Sequence, residues 1–168
     1  MSPSAPRLIE PPLVSAARTS PRFTKLPLAR QHTAMQAAGR AFEKKVAQSL
    51  ALLPGTIQYA RNPWFVFEDQ NGPGVCSPDD ILWVDDYPPF VIEVKRTWVP
   101  EAAPKLQGLY VPIVLMALNV PCVLSLIVCK NLTSETPRDM LIDRLKQAID
   151  FNAGVPVLQW LGEGDIPW

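Results

Sequence analysis

The sequence predicts a mixed α/β fold, a central β-sheet flanked by helices, and three observations lead to it. Apolar residues recur at three- and four-residue steps in the run that follows Thr33. Short β-branched and aromatic runs then succeed one another between Pro, Gly, Asn and Asp turns. After Pro100, helix-like and strand-like runs alternate, the pattern of helices packed on both faces of a sheet. At 168 residues, 48% hydrophobic and 19% charged, the chain suits one domain with a real core.

Residues 1–30 carry six prolines among Ser, Ala and Arg, without period, and read as a flexible basic arm; residues 31–168 form the single domain. In that domain, Met35, Ala38, Phe42, Val46 and Leu50 or Leu53 line one face of a helix from Thr33 to Leu53, which Pro54–Gly55 ends. Glu43 lies at the edge of that stripe, where a carboxylate can look into a cleft. Strands are expected at Thr56–Ala60, Trp64–Glu68, Asp80–Val84 and Phe90–Lys95, separated by turns at Asn62–Pro63, residues 71–74 (NGPG) and Asp85–Pro89. A helix over Pro104–Leu118 and a strand over Val123–Val128 follow. Thr136–Pro137 is read as the start of a helix to Phe151, and Val155–Trp160 as a last short strand. The expected order is therefore a helix, three or four strands, a helix, a strand, a helix and a strand.

One stretch needs a membrane test. Leu109–Cys129 is uncharged over 21 residues, long enough to cross a bilayer. Pro112, Asn119 and Pro121 interrupt it, and its composition changes from Leu/Met/Ala to β-branched halfway. A buried helix, a turn and a buried strand are expected instead, and no membrane partner. The three cysteines stand at no metal-ligand spacing, and no apolar leader is present, which together point to reduced thiols and a cytoplasmic protein. His32 is the single histidine, so zinc sites built on several imidazoles and Ser–His triads are excluded. The net charge is zero, but residues 1–45 hold eight Lys or Arg against two acids. A basic arm on a mildly acidic body can hold a polyanion while clustered carboxylates hold a metal.

The chemistry concentrates between Cys76 and Trp98. Alternation along the Phe90–Lys95 strand puts Glu93 and Lys95 on one face and Phe90, Ile92 and Val94 on the other. A hairpin at Asp85–Pro89 brings Asp79 or Asp80 beside Glu93; the two adjacent aspartates must face opposite ways, and Asp79, directly after Pro78, is preferred. Two carboxylates at a strand edge repel each other unless a hard divalent cation joins them. Alone, Glu-x-Lys is also the pattern of an ordinary surface salt bridge.

Pro78-Asp79, an apolar strand and then Glu93-Val94-Lys95 resembles the PD-(D/E)XK nuclease superfamily, and KLQGLYVP, with Gln107 and Tyr110, is similar to the glutamine–tyrosine motif of its RecB-type members. The RecB-type motif has three residues between Gln and Tyr; Gly108 and Leu109 make two here. The resemblance spans roughly residues 33–128 and implies a restriction-endonuclease-like core that hydrolyses DNA phosphodiesters with Mg²⁺ or Mn²⁺. It implies Asp79 and Glu93 as metal ligands with the Val94 carbonyl, Glu43 as an outer ligand and Lys95 as the water-activating or charge-stabilising group. Gln107 would orient substrate or Lys95, and Tyr110 would shape the cleft. Arg96, Lys105 and Trp98 are candidate DNA contacts, Trp98 by stacking on a base. The small size suggests a stand-alone, phage-type enzyme acting on single- or double-stranded DNA, with a homo-oligomer or protein partner supplying selectivity. The alternative is an inactive nuclease-fold module for nucleic-acid binding or assembly.

Overall fold

The computed structural model describes residues 7–8, 34–142 and 155–160. A six-stranded mixed sheet lies at its centre, with a helix on one face and, on the other, a second helix backed by a small three-stranded sheet.

Helix α1, Ala34–Ala51, buries Phe42, Val46, Ala47 and Leu50, the stripe expected from the apolar spacing. Its first turn stays out of the core: Met35 is 80% exposed. The Thr56 hydroxyl donates to the Leu50 carbonyl at 3.2 Å, satisfying an acceptor that the helix end leaves free. Strands β2 (Thr56–Arg61), β5 (Asp80–Val84) and β6 (Phe90–Thr97) form an antiparallel run. Strand β7 (Leu124–Asn131) then pairs parallel with β6, and β9 (Val157–Gln159) parallel with β7. The order is completed by β8 (Leu141–Ile142) at the edge beyond β9.

Both faces of the central strands are covered, and the period-2 alternation sorts their side chains between two cores. Phe90, Ile92 and Val94 of β6 pack with Leu126, Val128 and Leu158 beneath Phe42, Val46 and Leu50 of α1. Val91, Ile81 and Ile127 face the opposite way, toward Leu106, Tyr110, Ile113 and Val114 of the second helix. That helix links β6 to β7 and has three parts: α2 (Ala102–Lys105), one π turn (Leu106–Tyr110) and α3 (Val111–Leu118). Pro112 accounts for the π turn. It has no N–H, and its ring crowds the carbonyl four residues earlier, so the preceding turn widens and the Val111 N–H bonds the Leu106 carbonyl instead. Asn119 closes α3 in the left-handed conformation, φ 51°. The uncharged run Leu109–Cys129 is thus a helix, a turn and a strand, and no helix among the described residues is long and apolar enough to cross a membrane.

Two expectations are corrected. Residues 71–74 are not wholly a turn: the hairpin reverses at Gln70–Asn71, and Gly72–Cys76 is a strand, β4, paired with β3 (Phe65–Asp69). Pro73 is tolerated because β4 is a sheet edge, and Gly74 because the Phe67 ring lies over it; a Cβ there would sit 2.6 Å from the ring. Second, Thr136–Pro137 does not begin a helix. Pro137 is extended, Arg138–Met140 makes a single 3-10 turn, and the chain enters β8, where Leu141 pairs with Val157. Sheet pairing overrides the local capping signal; the remainder of that expected helix, 143–151, lies outside the described residues. Within the basic arm, Arg7–Leu8 form a short strand, β1, that pairs antiparallel with β3. The rest of residues 1–30 lies outside the described residues, as does His32.

Gly74→Ala should drive a methyl into the Phe67 ring, which is held in the core. A loss of about 1–3 kcal/mol is expected, measurable as a lower urea midpoint at unchanged slope.

Candidate functional site

The β5–β6 ladder runs from Leu82↔Phe90 to Asp80↔Ile92, so the next step of the same register puts Asp79 across from Glu93. Residues opposite each other in an antiparallel pair share a face. Asp79 extends the pairing with its side chain: Oδ2 accepts the Val94 N–H at 2.7 Å. Its carbonyl accepts the Asn62 N–H, also at 2.7 Å, which ties it to the end of β2.

Glu93 is only 1% exposed. Its Oε1 receives two ammonium groups, Lys95 at 2.5 Å and Lys105 at 3.3 Å. Its Oε2 is buried and has no hydrogen-bond partner among the described residues. A bare buried carboxylate oxygen is costly, because the desolvation of a charged acceptor is left uncompensated. Burial, and then the neighbouring Glu93, push the Asp79 carboxyl up to about 7, against the opposing pull of the Val94 N–H and Lys95. Asp79 and Glu93 therefore face each other as two carboxylates, with both nearby ammonium groups on one oxygen of Glu93.

Asp80 faces the other way. The Tyr59 hydroxyl donates to its Oδ1, and Arg61 adds a positive charge nearby. Burial lifts the Asp80 carboxyl to about 6, with Tyr59 and Arg61 opposing. The adjacent aspartates thus serve opposite faces, and Asp79 is the one beside Glu93.

The helix after β6 supplies a different residue from the one expected. Gln107 is exposed and makes no hydrogen bond to Lys95 or to either carboxylate. Lys105 reaches Glu93, and its Nζ lies 4.7 Å from the centre of the Tyr110 ring. In a regular α-helix residues five apart stand about 140° apart around the axis; the wider π turn brings Lys105 and Tyr110 onto one side. Partial burial works against the Lys105 ammonium, but the Tyr110 hydroxyl and Glu93 outweigh it and hold its pKa above the ordinary lysine value. Burial raises the Tyr110 phenol as well; Lys105 opposes this, while Glu93 and Asp79 add to it. Tyr110 thus stands within electrostatic reach of both carboxylates. The Lys105–Glu93 pair was hidden in the sequence, since the two residues lie 12 apart on different elements and only the packing of the helix against β6 brings them together.

The other candidates divide. Arg96 is exposed at the end of β6 and turned from Lys95. Trp98 is 6% exposed and packed in the core with Ala102 and Leu106, so it cannot stack on a base; this corrects the expected role. Val94 gives its N–H to Asp79 and buries its side chain under α1. Glu43, partly buried on α1, raises both aspartates through its charge. Yet among the described residues no three His, Cys, Asp or Glu side chains are placed together to hold a metal ion. Glu43 thus acts on the pair through its charge.

The donor set fits a hard divalent cation. Magnesium takes one or two carboxylates and retains several waters, so Asp79 and the unpartnered Glu93 Oε2 suffice. It does not fit zinc, which prefers nitrogen and sulfur; burial keeps the thiols of Cys76 and Cys129 raised to about 12 and about 11.

A carboxyl whose pKa is raised from 3.8 to about 7 by folding binds its proton more tightly in the native state than in the unfolded one. It contributes a destabilisation that is absent below the unfolded pKa, grows as pH rises, and is complete above the folded value. In cation-free buffer, Asp79→Asn should gain thermal stability relative to wild type progressively between pH 5 and about 7. A stability difference independent of pH would show that Asp79 titrates normally.

Compared with protein-family models, with curated proteins and with solved structures, the chain matches none of them.

Proposed function

We propose that this protein is a Mg²⁺- or Mn²⁺-dependent nuclease of the PD-(D/E)XK type that hydrolyses DNA phosphodiester bonds. One observation carries the reading: a fully buried Glu93 with one oxygen on lysine and the other unpartnered, across from an Asp79 whose carboxyl is raised. Structural salt bridges satisfy both oxygens of a buried carboxylate, whereas a cation-binding carboxylate keeps one available. The Asp, Glu-x-Lys pattern and the surrounding α/β order support the same reading.

Asp79 and Glu93 would hold the ion, which when bound supplies Lewis acidity toward a phosphate oxygen and acidifies water. The rest falls to the chain's own side chains. Lys95, 32% exposed and anchored by Glu93, presents its ammonium at the mouth of the site. There it orients the attacking water and offsets negative charge as the new P–O bond forms and the ester P–O bond breaks. The Val94 N–H holds Asp79 in place, so the carboxylate pair is positioned before substrate arrives. The cores on either side of β6 keep that geometry rigid.

A second reading, an inactive nuclease-fold module that binds nucleic acid or assembles with a partner, is favoured by one observation. Lys95 and Lys105 already neutralise Glu93, and no third ligand joins the pair among the described residues. Cleavage assays on linear, circular, single- and double-stranded DNA separate the two. Wild type should cut with Mg²⁺ or Mn²⁺ and stop with EDTA, and Lys95→Ala should lower the rate by about a hundredfold or more at unchanged fold. DNA binding without cleavage in any divalent ion would favour the inactive module.

A further inference from the structure

Glu93 carries one negative charge, and Lys95 at 2.5 Å already matches it. Lys105 adds a second ammonium to the same oxygen at 3.3 Å, while Oε2 receives none. This distribution is lopsided. An arrangement built only to neutralise a buried carboxylate gains most by spreading its donors over both oxygens. The two lysines also differ in freedom: the side chain of Lys105 is 46% exposed and that of Lys95 32%, against 1% for Glu93. Lys105 is the looser partner and can leave without opening the core. Its departure has somewhere to lead, because the π turn sets the Tyr110 ring 4.7 Å from Nζ, and a ring face keeps an ammonium at the site when its carboxylate is taken.

We propose that Lys105 is a two-position cation. It rests on Glu93 while no divalent ion is bound, and turns to a non-bridging phosphate oxygen of the substrate once the ion takes Glu93 over. The proposal rests on the metal-dependent reading above and deepens it. A divalent charge arriving at Oε2 would crowd three cations around one carboxylate, and like charges at that spacing repel. The longest and most exposed contact, Lys105–Glu93, breaks first. A lysine suits this exchange because its ammonium is a compact charge with three donors on a flexible stem. Lys105 thereby couples the two ligands: it competes with the metal for Glu93, and the metal frees it for the phosphate.

The test uses the full chain as wild type, Lys105→Met and Lys105→Arg, with circular dichroism on each and Lys105→Gln replacing any Met variant that fails to fold. Mn²⁺ affinity is read by titration calorimetry without nucleic acid. Binding of a single-stranded oligonucleotide is read by anisotropy in Ca²⁺ over a range of salt. Lys105→Met should bind Mn²⁺ about three- to tenfold more tightly, since a competing positive charge has been removed. The same variant should bind the oligonucleotide more weakly, with the slope of log affinity against log salt shallower by about 0.7, as for one lost phosphate contact. Lys105→Arg should restore the slope. A merely structural Lys105 would change the melting temperature and neither affinity. Wild type that binds Mn²⁺ and oligonucleotide, with Lys105→Met showing neither change or only one, overturns the exchange alone. Wild type that binds no Mn²⁺ overturns the metal reading and the exchange with it.

Discussion

Burying Glu93 in the middle of the central strand is the constraint around which the site is arranged. A carboxylate taken out of water loses hydration that a protein replaces only with hydrogen bonds, a counter-ion or a metal. Here one oxygen has been compensated twice and the other not at all. The neighbours follow from that imbalance. Lys95 must share its face, the next helix must send a cation back across the strand, and Asp79 must carry its charge reluctantly.

The sheet makes such burial possible. Because β6 is paired with β7 along its length and with β5 over its first half, and is covered on both faces, its side chains cannot drift from one face to the other. Phe90, Ile92 and Val94 anchor it to α1, which forces Val91, Glu93 and Lys95 toward the second helix. The antiparallel register with β5 then determines which aspartate meets Glu93. A slip of one residue would exchange Asp79 for Asp80 and place the latter's Tyr59 partnership on the wrong face.

The second helix shows how a local irregularity becomes a functional placement. Pro112 breaks the regular ladder, the preceding turn widens, and the wider turn carries Lys105 over Tyr110 and onto Glu93. Gln107, the polar residue that the motif resemblance singled out, is exposed to solvent. A π turn near a candidate site accords with the general tendency of such turns to occur where function needs an unusual side-chain direction.

Much of the fold was legible in the chain itself, because it rests on periodicity. The α1 stripe of Phe42, Val46 and Leu50, the alternation along β6 and the helix-to-strand change near Asn119 are all local patterns. The shared face of Glu93 and Lys95, and the opposition of Asp79 and Asp80, follow from the same two-residue period. Legibility ended where distant segments meet. Leu141 pairs with Val157 and cancels a good capping signal, Phe67 covers Gly74 and turns a Gly–Pro run into an edge strand, and Trp98 sinks into the core instead of standing at the rim. The sequence by itself determined which residue types could form the site and the face on which each strand offers them, since backbone geometry alone sets that. Only the tertiary structure decided that Lys105 reaches Glu93, and that Oε2 is left without a partner among the described residues. Those outcomes depend on the register of packed elements and the width of one helical turn, and neither is written in any single stretch of chain.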